Sequence, residues 1–196
     1  MKRLIDLIFS ISGLILLLPL LIIVSVLIYF NLGSPIIFEQ SRIGHQGKVF
    51  NIFKFRTMKL EENYSEQKEI LRLTPLTSFL RSVSLDELPT LFNVLLGSMS
   101  IVGPRPLLEE YREEYTEEQF RRHNVMPGVT GWAQINGRNN LSWEEKFEYD
   151  LWYVDNASIL LDMKIILLTI YKTFIREGVN QSDIHTMERF RRDKRK

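Results

Sequence analysis

The sequence predicts a mostly helical α+β fold in which a membrane element precedes one small folded domain. An uncharged apolar stretch runs from Leu7 to Phe30, and roughly 20 apolar residues are enough to span the bilayer core. The remainder of the 196-residue chain mixes short strand-like runs with helix signals, and this length allows one moderate domain. The chain contains no cysteine, which excludes disulfides and thiolate metal sites.

The apolar stretch has two candidate paths through the membrane. Pro19 lies in its middle, lacks the N–H that a helix needs there and clashes with the preceding turn, so a kink or break is expected. Lys2 and Arg3 precede the stretch, and five Lys and Arg residues follow it within residues 42–59. Because cytoplasmic flanks carry the excess of basic residues, both ends favour the cytoplasm. Length alone favours a single crossing, whereas the charges favour a re-entrant hairpin.

The folded domain is predicted to begin with strands. Residues 34–59 contain a brief apolar run, a turn marked by Gly44 and Gly47, and the partly alternating segment Val49–Phe55. Residues 60–73 are polar and compatible with a helix. A helix is predicted from Leu88 to Leu96, because Gly97 is a typical stop signal.

The second half of the chain is predicted to be mainly helical. Leu107–His123 is predicted to be a charged helix, residues 127–131 a turn, and the Ser142/Glu145 capping box the start of another helix.

The last apolar segment, Ile159–Ile175, is interrupted by three charged residues and is therefore a poor membrane span. It fits either a core helix or a helix lying at the membrane interface. The basic tail from Arg189 is predicted to be solvated, with basic residues able to contact anionic lipids.

Asp86 and Glu87 stand side by side, five and six residues after Arg81. One structural explanation is a capping box, in which Ser84 and Glu87 begin a helix. The other starts the helix at Pro89 and leaves both carboxylates just outside it, since proline prefers the first helical position. In either case the pair lies near the positive end of a helix, which suits phosphate and an acid–metal cluster.

Several cations and amides lie in segments suited to phosphate binding. Lys54 and Arg56 fall on the same side of an extended segment, because strand side chains repeat every second residue. Arg105 sits between two prolines, a rigid frame from which a guanidinium can hold a phosphate. Gln134 and Arg138 belong to an amide-rich stretch suited to nucleotide or sugar hydroxyls. Taken singly, these segments are also explained as a solvated strand face, a tight loop and a polar turn.

Taken in order, these segments resemble the bacterial sugar transferase family, the monotopic polyprenyl-phosphate phosphoglycosyl transferases. The resemblance covers nearly the whole chain and is closest to the small form, without further N-terminal membrane helices. The motifs that carry it are Lys54–Met58, Arg81–Pro89, Leu91–Gly97, Met99–Pro106, Pro127–Trp132 and Gln134–Arg138.

The resemblance implies a reaction. It implies transfer of a sugar-1-phosphate from a UDP-sugar to undecaprenyl phosphate, with release of UMP, through a covalent aspartyl-phosphosugar intermediate. The product would begin a bacterial surface glycan or a protein-linked glycan. Mg²⁺ is the implied cofactor, with Asp86 and Glu87 as its ligands. Asp86 is the implied nucleophile and Glu87 its metal-binding or orienting partner. The phosphate- and substrate-binding residues are then Arg81, Arg56, Arg105, Lys54, Arg138 and Gln134.

The resemblance also implies a topology at the cytoplasmic face of the bacterial inner membrane. Residues 1–32 form a re-entrant helix-break-helix, residues 33–187 a catalytic domain with interfacial amphipathic helices, and residues 188–196 a basic flexible tail. Family members often carry a serine before the breaking proline, whereas Leu18 precedes Pro19 here. Ser12 or Ser25 is then expected to bond the freed backbone. Membrane lipids are expected partners, nucleic acid is not, and the oligomeric state stays open, with a homodimer as one option.

Two other functions compete with this interpretation. A membrane-associated glycosyltransferase would move the sugar alone, release UDP and need no carboxylate nucleophile. A non-catalytic membrane scaffold would form no product and tolerate substitution at both Asp86 and Glu87. The sequence does not name the sugar or the glycan pathway.

Overall fold

The computed structural model describes residues 1–60, 72–137, 141–174 and 190. In this part of the chain, helices dominate and strands form two small sheets. Strand β1 (Ile37–Ile43) pairs antiparallel with β2 (Val49–Phe55), and β3 (Ser100–Val102) pairs parallel with β4 (Gly128–Thr130). The predicted class, α+β and mostly helical, is confirmed.

Seven α-helices are assigned within the described residues. They are α1 (Lys2–Leu32), α2 (Pro75–Ser82), α3 (Thr90–Leu96), α4 (Glu117–Phe120), α5 (Trp132–Asn136), α6 (Trp143–Asn156) and α7 (Ile159–Phe174). Single-turn and short 3₁₀ helices cover His45–Gly47, Leu85–Glu87, Glu109–Glu114 and Arg121–Asn124. The capping box of Ser142 and Glu145 starts α6 as predicted, and Gly97 ends α3 with a φ of 89°. Residues 61–71, most of the segment predicted as helix-compatible, lie outside the described residues.

Helix α1 continues through Pro19 for 31 residues. The predicted break is therefore wrong as an interruption of the helix, because a missing N–H removes one backbone bond while the turns on either side keep theirs. Ser25 does not bond the freed backbone either. Its hydroxyl donates to the carbonyl of Leu21 at 2.7 Å, within its own turn.

The first turns of α1 are fastened to β3 and α7. Lys2 Nζ donates to the carbonyl of Val102 at 3.0 Å and pairs with the Asp162 carboxylate at 2.5 Å. Asp6 is buried, and its Oδ1 accepts from Ser100 Oγ and from the Ile101 N–H, both at 2.9 Å. These bonds connect the start of the apolar helix to the strand that leads into the Arg105 loop.

The far end of α1 contacts the same domain. Val24 and Ile28 pack with Phe55 of β2 and Leu80 of α2. Both ends of the helix, and Gly13 beside Leu91 of α3 between them, therefore lie along the folded domain.

The outer face of α1 is apolar and exposed. Ile15 and Leu16 are 70% and 79% exposed. Other apolar residues with large exposed areas lie on α2, α3 and α7: Phe79, Phe92, Leu96, Leu160 and Leu167. Among the described residues, α1 is the one helix long and apolar enough to cross a membrane.

Helix α7 has a core face and an exposed apolar face. Ile165 and Ile166 are buried in a cluster with Tyr153 of α6, whereas Leu160 and Leu167 are exposed. The core interpretation therefore holds for one face, and the interfacial interpretation stays a prediction for the other.

The predicted charged helix Leu107–His123 is wrong as one element. The chain forms a 3₁₀ helix, becomes extended at Tyr115 with φ −71° and ψ 142°, and starts again as α4. Thr116 caps this new start in a capping box: its hydroxyl accepts from the Gln119 N–H, and its own N–H donates to Gln119 Oε1. The Thr-x-x-Gln spacing is visible in the sequence and was the signal for a second helix start.

The predicted turn at residues 127–131 contains strand β4 instead, because glycines let β3 and β4 approach closely. A Cβ built on Gly103 would lie 2.1 Å from the carbonyl oxygen of Met126, and one on Gly131 would lie 2.2 Å from the carbonyl oxygen of Gly103. Side chains at these positions would separate the strands.

Most of the basic tail lies outside the described residues. Phe190 is the exception and is 6% exposed, packed among Tyr111, Tyr115 and Phe147. A solvated tail is therefore the wrong description for this residue, because an aromatic side chain gains more from the apolar cluster than from water.

Candidate active site

Asp86 and Glu87 lie on the 3₁₀ turn Leu85–Glu87. The capping-box interpretation is wrong, because Ser84 is left-handed with a φ of 57° and makes no capping hydrogen bond, whereas an N-cap residue needs an extended backbone. Helix α3 instead begins after Pro89, so both carboxylates lie just outside it, as the second interpretation predicted. The Glu87 side chain is therefore free for other partners.

Glu87 joins two cations that are distant in sequence. Its Oε1 pairs with Lys54 Nζ at 2.7 Å. Arg105 binds both carboxylate oxygens, with Nη1 at 3.2 Å from Oε2 and Nη2 on Oε1. Partial burial favours the neutral acid, but the charges of Arg105 and Lys54 outweigh it and hold the Glu87 pKa well below its usual value. Glu87 is consequently a permanent anion that anchors both cations.

The backbone on either side of this ion pair is firmly held. Asn93 of α3 accepts from the Phe53 N–H at 2.9 Å and donates to the Asn51 carbonyl at 2.7 Å, which fixes β2 and hence Lys54 against α3. The carbonyl of Arg105 accepts from Arg122 Nη2 at 2.8 Å. Arg122 is buried and pairs with the equally buried Asp150 at 2.6 Å.

Asp86 differs sharply from its neighbour. Within the described part of the chain its half-buried carboxylate forms no hydrogen bond or ion pair. Burial raises the Asp86 pKa, the negative charge of Glu87 raises it further, and Lys54, Arg81 and Arg105 oppose the shift. An unpaired carboxylate of raised basicity beside fixed cations is suited to act as a nucleophile.

A cleft of about 280 Å³ opens at the Glu87 ion pair. Its polar lining comes from Arg42, Lys54, Glu87, Thr90 and Arg105. The positively charged lining suits an anionic group.

Arg42 was not predicted as a site residue. It lies on β1, where the register places Phe38 opposite Lys54 and Arg42 opposite Phe50. Because side chains alternate along a strand, Arg42 and Lys54 share one face of this sheet. The alternation from Phe38 to Arg42 was a usable signal only once the register was known.

Arg81 and Arg56 do not line the cleft. Arg81 is close enough to Asp86 to lower its pKa. Arg56 is buried and donates from Nη2 to the carbonyls of Leu32 and Gly33 at 2.8 and 2.6 Å, at the end of α1. Arg56 follows the last residue of β2, so the strand alternation that grouped it with Lys54 has ended.

The amide-rich stretch is only partly described. Gln134 Nε2 donates to the carbonyl of Val129 at 3.0 Å, so it braces a residue that lines the cleft. Arg138 lies outside the described residues.

The two carboxylates supply only part of the ligands that a magnesium ion needs. Asp86 and Glu87 offer two hard carboxylates, and Mg²⁺ in phosphate-transfer sites commonly uses one or two carboxylates with substrate oxygens and water. The oxygens of Glu87 are engaged by Lys54 and Arg105, so Asp86 has the free oxygens. No group of three or more potential protein ligands is found among the described residues.

A cationic cleft lined by Glu87, next to the unpaired carboxylate of Asp86 and a long apolar helix, agrees with the comparison with known families. Residues 1–176 match the model of the bacterial sugar transferase family. The chain belongs to this family. The predicted enzyme class, a sugar-1-phosphate transferase of the polyprenyl-phosphate type, agrees with this match and with the names of relatives.

Three relatives span a range of similarity. The chain is 48% identical to the uncharacterized sugar transferase EpsL of Bacillus subtilis, over 97% of this chain and 95% of the relative. It is 44% identical to a UDP-glucose:undecaprenyl-phosphate glucose-1-phosphate transferase of Klebsiella pneumoniae, over 90% of this chain and 41% of the relative. It is 35% identical to the UDP-galactose-lipid carrier transferase of Erwinia amylovora, over 91% of this chain and 41% of the relative. The chain thus spans about two fifths of the relatives whose names specify a sugar, and those sugars differ.

Proposed function

We propose that this sugar transferase moves a sugar-1-phosphate from a UDP-sugar to undecaprenyl phosphate, releasing UMP and forming undecaprenyl-diphospho-sugar. The observation that carries the proposal is the unlike pair of neighbouring carboxylates. Glu87 is neutralised by Lys54 and Arg105, whereas Asp86 has no partner among the described residues. The names of the relatives support the lipid acceptor and the transfer of sugar-1-phosphate.

In the first step, a carboxylate oxygen of Asp86 attacks the phosphorus that carries the sugar. A bond from aspartyl oxygen to phosphorus forms, and the bond from that phosphorus to the bridging oxygen breaks. The electron pair leaves with UMP. Lys54 and Arg105 are held beside the reacting group by Glu87, so the positive charge is in place before the transition state develops.

In the second step, a phosphate oxygen of undecaprenyl phosphate attacks the same phosphorus and displaces the Asp86 carboxylate. One cationic cleft serves both halves, because each leaving or attacking partner brings a phosphate. The lipid diphosphosugar would then begin a surface or protein-linked glycan.

Asp86, whose oxygens are free, would hold Mg²⁺ together with substrate oxygens, and Glu87 would become the second ligand by exchanging a contact to Lys54 or Arg105 for the ion. The ion would neutralise diphosphate charge and stabilise the departing UMP. Lys54 and Arg105 would neutralise the remaining negative charge. The backbone of Arg105 is held in place because its carbonyl accepts a hydrogen bond from Arg122.

We also propose that α1 is re-entrant at the cytoplasmic face of the bacterial inner membrane. Thirty-one residues of helix measure roughly 46 Å, longer than the hydrocarbon core of roughly 30 Å. Lys2 and Leu32 nevertheless both contact the one folded domain. If α1 crossed the membrane, one of those ends would be separated from the domain by the bilayer. A bend at Pro19 within a shallow insertion agrees better with these contacts.

The deciding experiment measures the released nucleotide. Purified protein in detergent is given Mg²⁺, undecaprenyl phosphate and a panel of UDP-sugars, with Asp86→Asn as the matched variant. We expect UMP from the wild type and none above background from the variant, and the active donor identifies the sugar. Release of UDP would instead favour glycosyl transfer, and Asp86→Asn would then retain activity.

A further inference from the structure

We propose that Arg42 is a phosphate-binding residue of the cleft, beside Lys54 and Arg105. The inference deepens the proposed function, on which it rests for the identity of the phosphate. The ligand chemistry is a phosphoryl oxygen, supplied either by the nucleotide diphosphate or by the polyprenyl phosphate.

The first argument is the unused hydrogen-bonding capacity of Arg42. A guanidinium has five N–H donors. Nη1 donates to the carbonyl of Pro106 at 3.2 Å, and Nη2 donates to Gln40 Oε1 at 2.5 Å. Nε is buried and has no partner. The side chain is therefore held in position by two neutral acceptors, with donors left over.

The second argument is charge. Lys54 and Arg105 share the carboxylate of Glu87, but Arg42 has no carboxylate within ion-pair distance among the described residues. Burial and the positive charge of Arg105 lower the Arg42 pKa to about 10, and the negative charge of Glu87 opposes this shift without cancelling it. A partly buried guanidinium beside a like charge is stabilised when an anion enters. Arg42 lines the cleft with Lys54 and Arg105, so an anion bound there would lie beside it.

The competing explanation is that Arg42 merely fastens the Arg105 loop to β1. Its bond to Pro106 would do this, as would the backbone bond from the Ile43 N–H to the Leu107 carbonyl at 3.1 Å. A fastener needs a hydrogen-bond donor at this position, but not a positive charge. The two explanations therefore separate when the charge is removed and a donor is kept.

The test compares Arg42→Gln, Arg42→Lys and Arg121→Gln in the full-length protein in detergent. Gln keeps an N–H donor without charge, Lys keeps the charge, and Arg121 is an exposed arginine paired with Glu118 and Asp155, serving as the charge-matched control. Binding of UDP and of undecaprenyl phosphate is measured separately by calorimetry, together with the melting temperature of each variant.

We expect Arg42→Gln to weaken binding of at least one of the two phosphates by roughly 10- to 100-fold, the loss typical of a charge-assisted hydrogen bond. Arg42→Lys should fall between Gln and wild type, and Arg121→Gln should match wild type. Selective loss of UDP binding assigns Arg42 to the donor, and selective loss of lipid phosphate binding assigns it to the acceptor.

Unchanged affinity for both probes in Arg42→Gln would overturn the inference, as would a wild type that binds neither. Unchanged affinity in Arg42→Gln is the result that the fastener explanation predicts. Equal losses in the Gln and Lys variants, with matching falls in melting temperature, would also overturn the inference, because the loss would then follow the stability of the fold and not the charge. Failure of the proposed function is distinguishable, because a wild type that binds UDP but releases no UMP would leave the affinity comparison intact.

Discussion

Two charge clusters in the described part of the chain differ in how completely their charges are paired. In the scaffold cluster, Arg122 divides its donors between the carboxylate of Asp150 and the carbonyl of Arg105, and both charged side chains are at most 5% exposed. In the cleft cluster, Glu87 is paired, but Asp86 and Arg42 have no partner of opposite charge at ion-pair distance in the described part of the chain. We therefore expect a charged ligand to bind where the fold leaves these charges unmatched.

The largest expected effect is on catalysis at Asp86. Asp86→Asn should lower UMP release by about 1000-fold or more, because a covalent route loses its nucleophile. Its melting temperature should stay the same or rise, because the variant removes a partly buried, unpaired charge whose pKa is raised in the fold. Activity and thermal denaturation are measured on the same preparation; a lower melting temperature with activity retained would reverse the assignment.

The scaffold cluster should respond in the opposite way. Asp150→Asn leaves the buried Arg122 without its carboxylate, which typically costs about 3–5 kcal/mol of unfolding free energy. Chemical denaturation in detergent measures this cost. Activity per folded molecule should fall far less than in Asp86→Asn; loss of activity with unchanged stability would place Asp150 in the chemistry.

A smaller effect is expected from pH at His123, which lies beside Arg122. Burial lowers the His123 pKa from 6.5 to about 4, and the charge of Arg122 adds to the shift. Between pH 6.5 and pH 4 the unfolded chain binds a proton at His123 that the folded chain does not. The free energy of unfolding therefore falls as the pH falls through this range. The loss attributable to His123 is about 2 kcal/mol between pH 6.5 and 5. His123→Phe keeps the ring and removes the titration, so its stability should depend less on pH; identical profiles would contradict the assignment.

The smallest effect is expected at the surface. Arg121 pairs with Glu118 and Asp155 in the open, and exposed pairs are screened by water and salt. Arg121→Gln should leave both the melting temperature and UMP release unchanged within error. A clear loss of either would show that pairing itself, rather than burial, decides the importance of these charges.

The sequence predicted the acidic pair and the rigid arginine loop, because both depend on local patterns. Pro89 and Gly97 bracket α3, as expected. The residues that were misplaced or missed depend on contacts between elements that are distant in the sequence. Arg56 was grouped with Lys54 by strand alternation, but the strand ends at Phe55 and the guanidinium turns to the end of α1. Arg42 was missed because its neighbours come from β2 and the Arg105 loop, 12 and 63 residues away along the chain.

The ion pair of Lys2 with Asp162 also constrains how the protein is made. These residues are 160 positions apart, so on the ribosome the apolar helix emerges long before its partner in α7 exists. During translation the apolar surface of α1 must therefore be covered by lipid or a chaperone. Lys2 and Asp6 lack their partners in α7 and β3 until those elements have been synthesised. The contacts of Lys2 with α7 can therefore form only after α7 has been synthesised, which makes the final packing of the apolar helix against the domain a late event in biosynthesis.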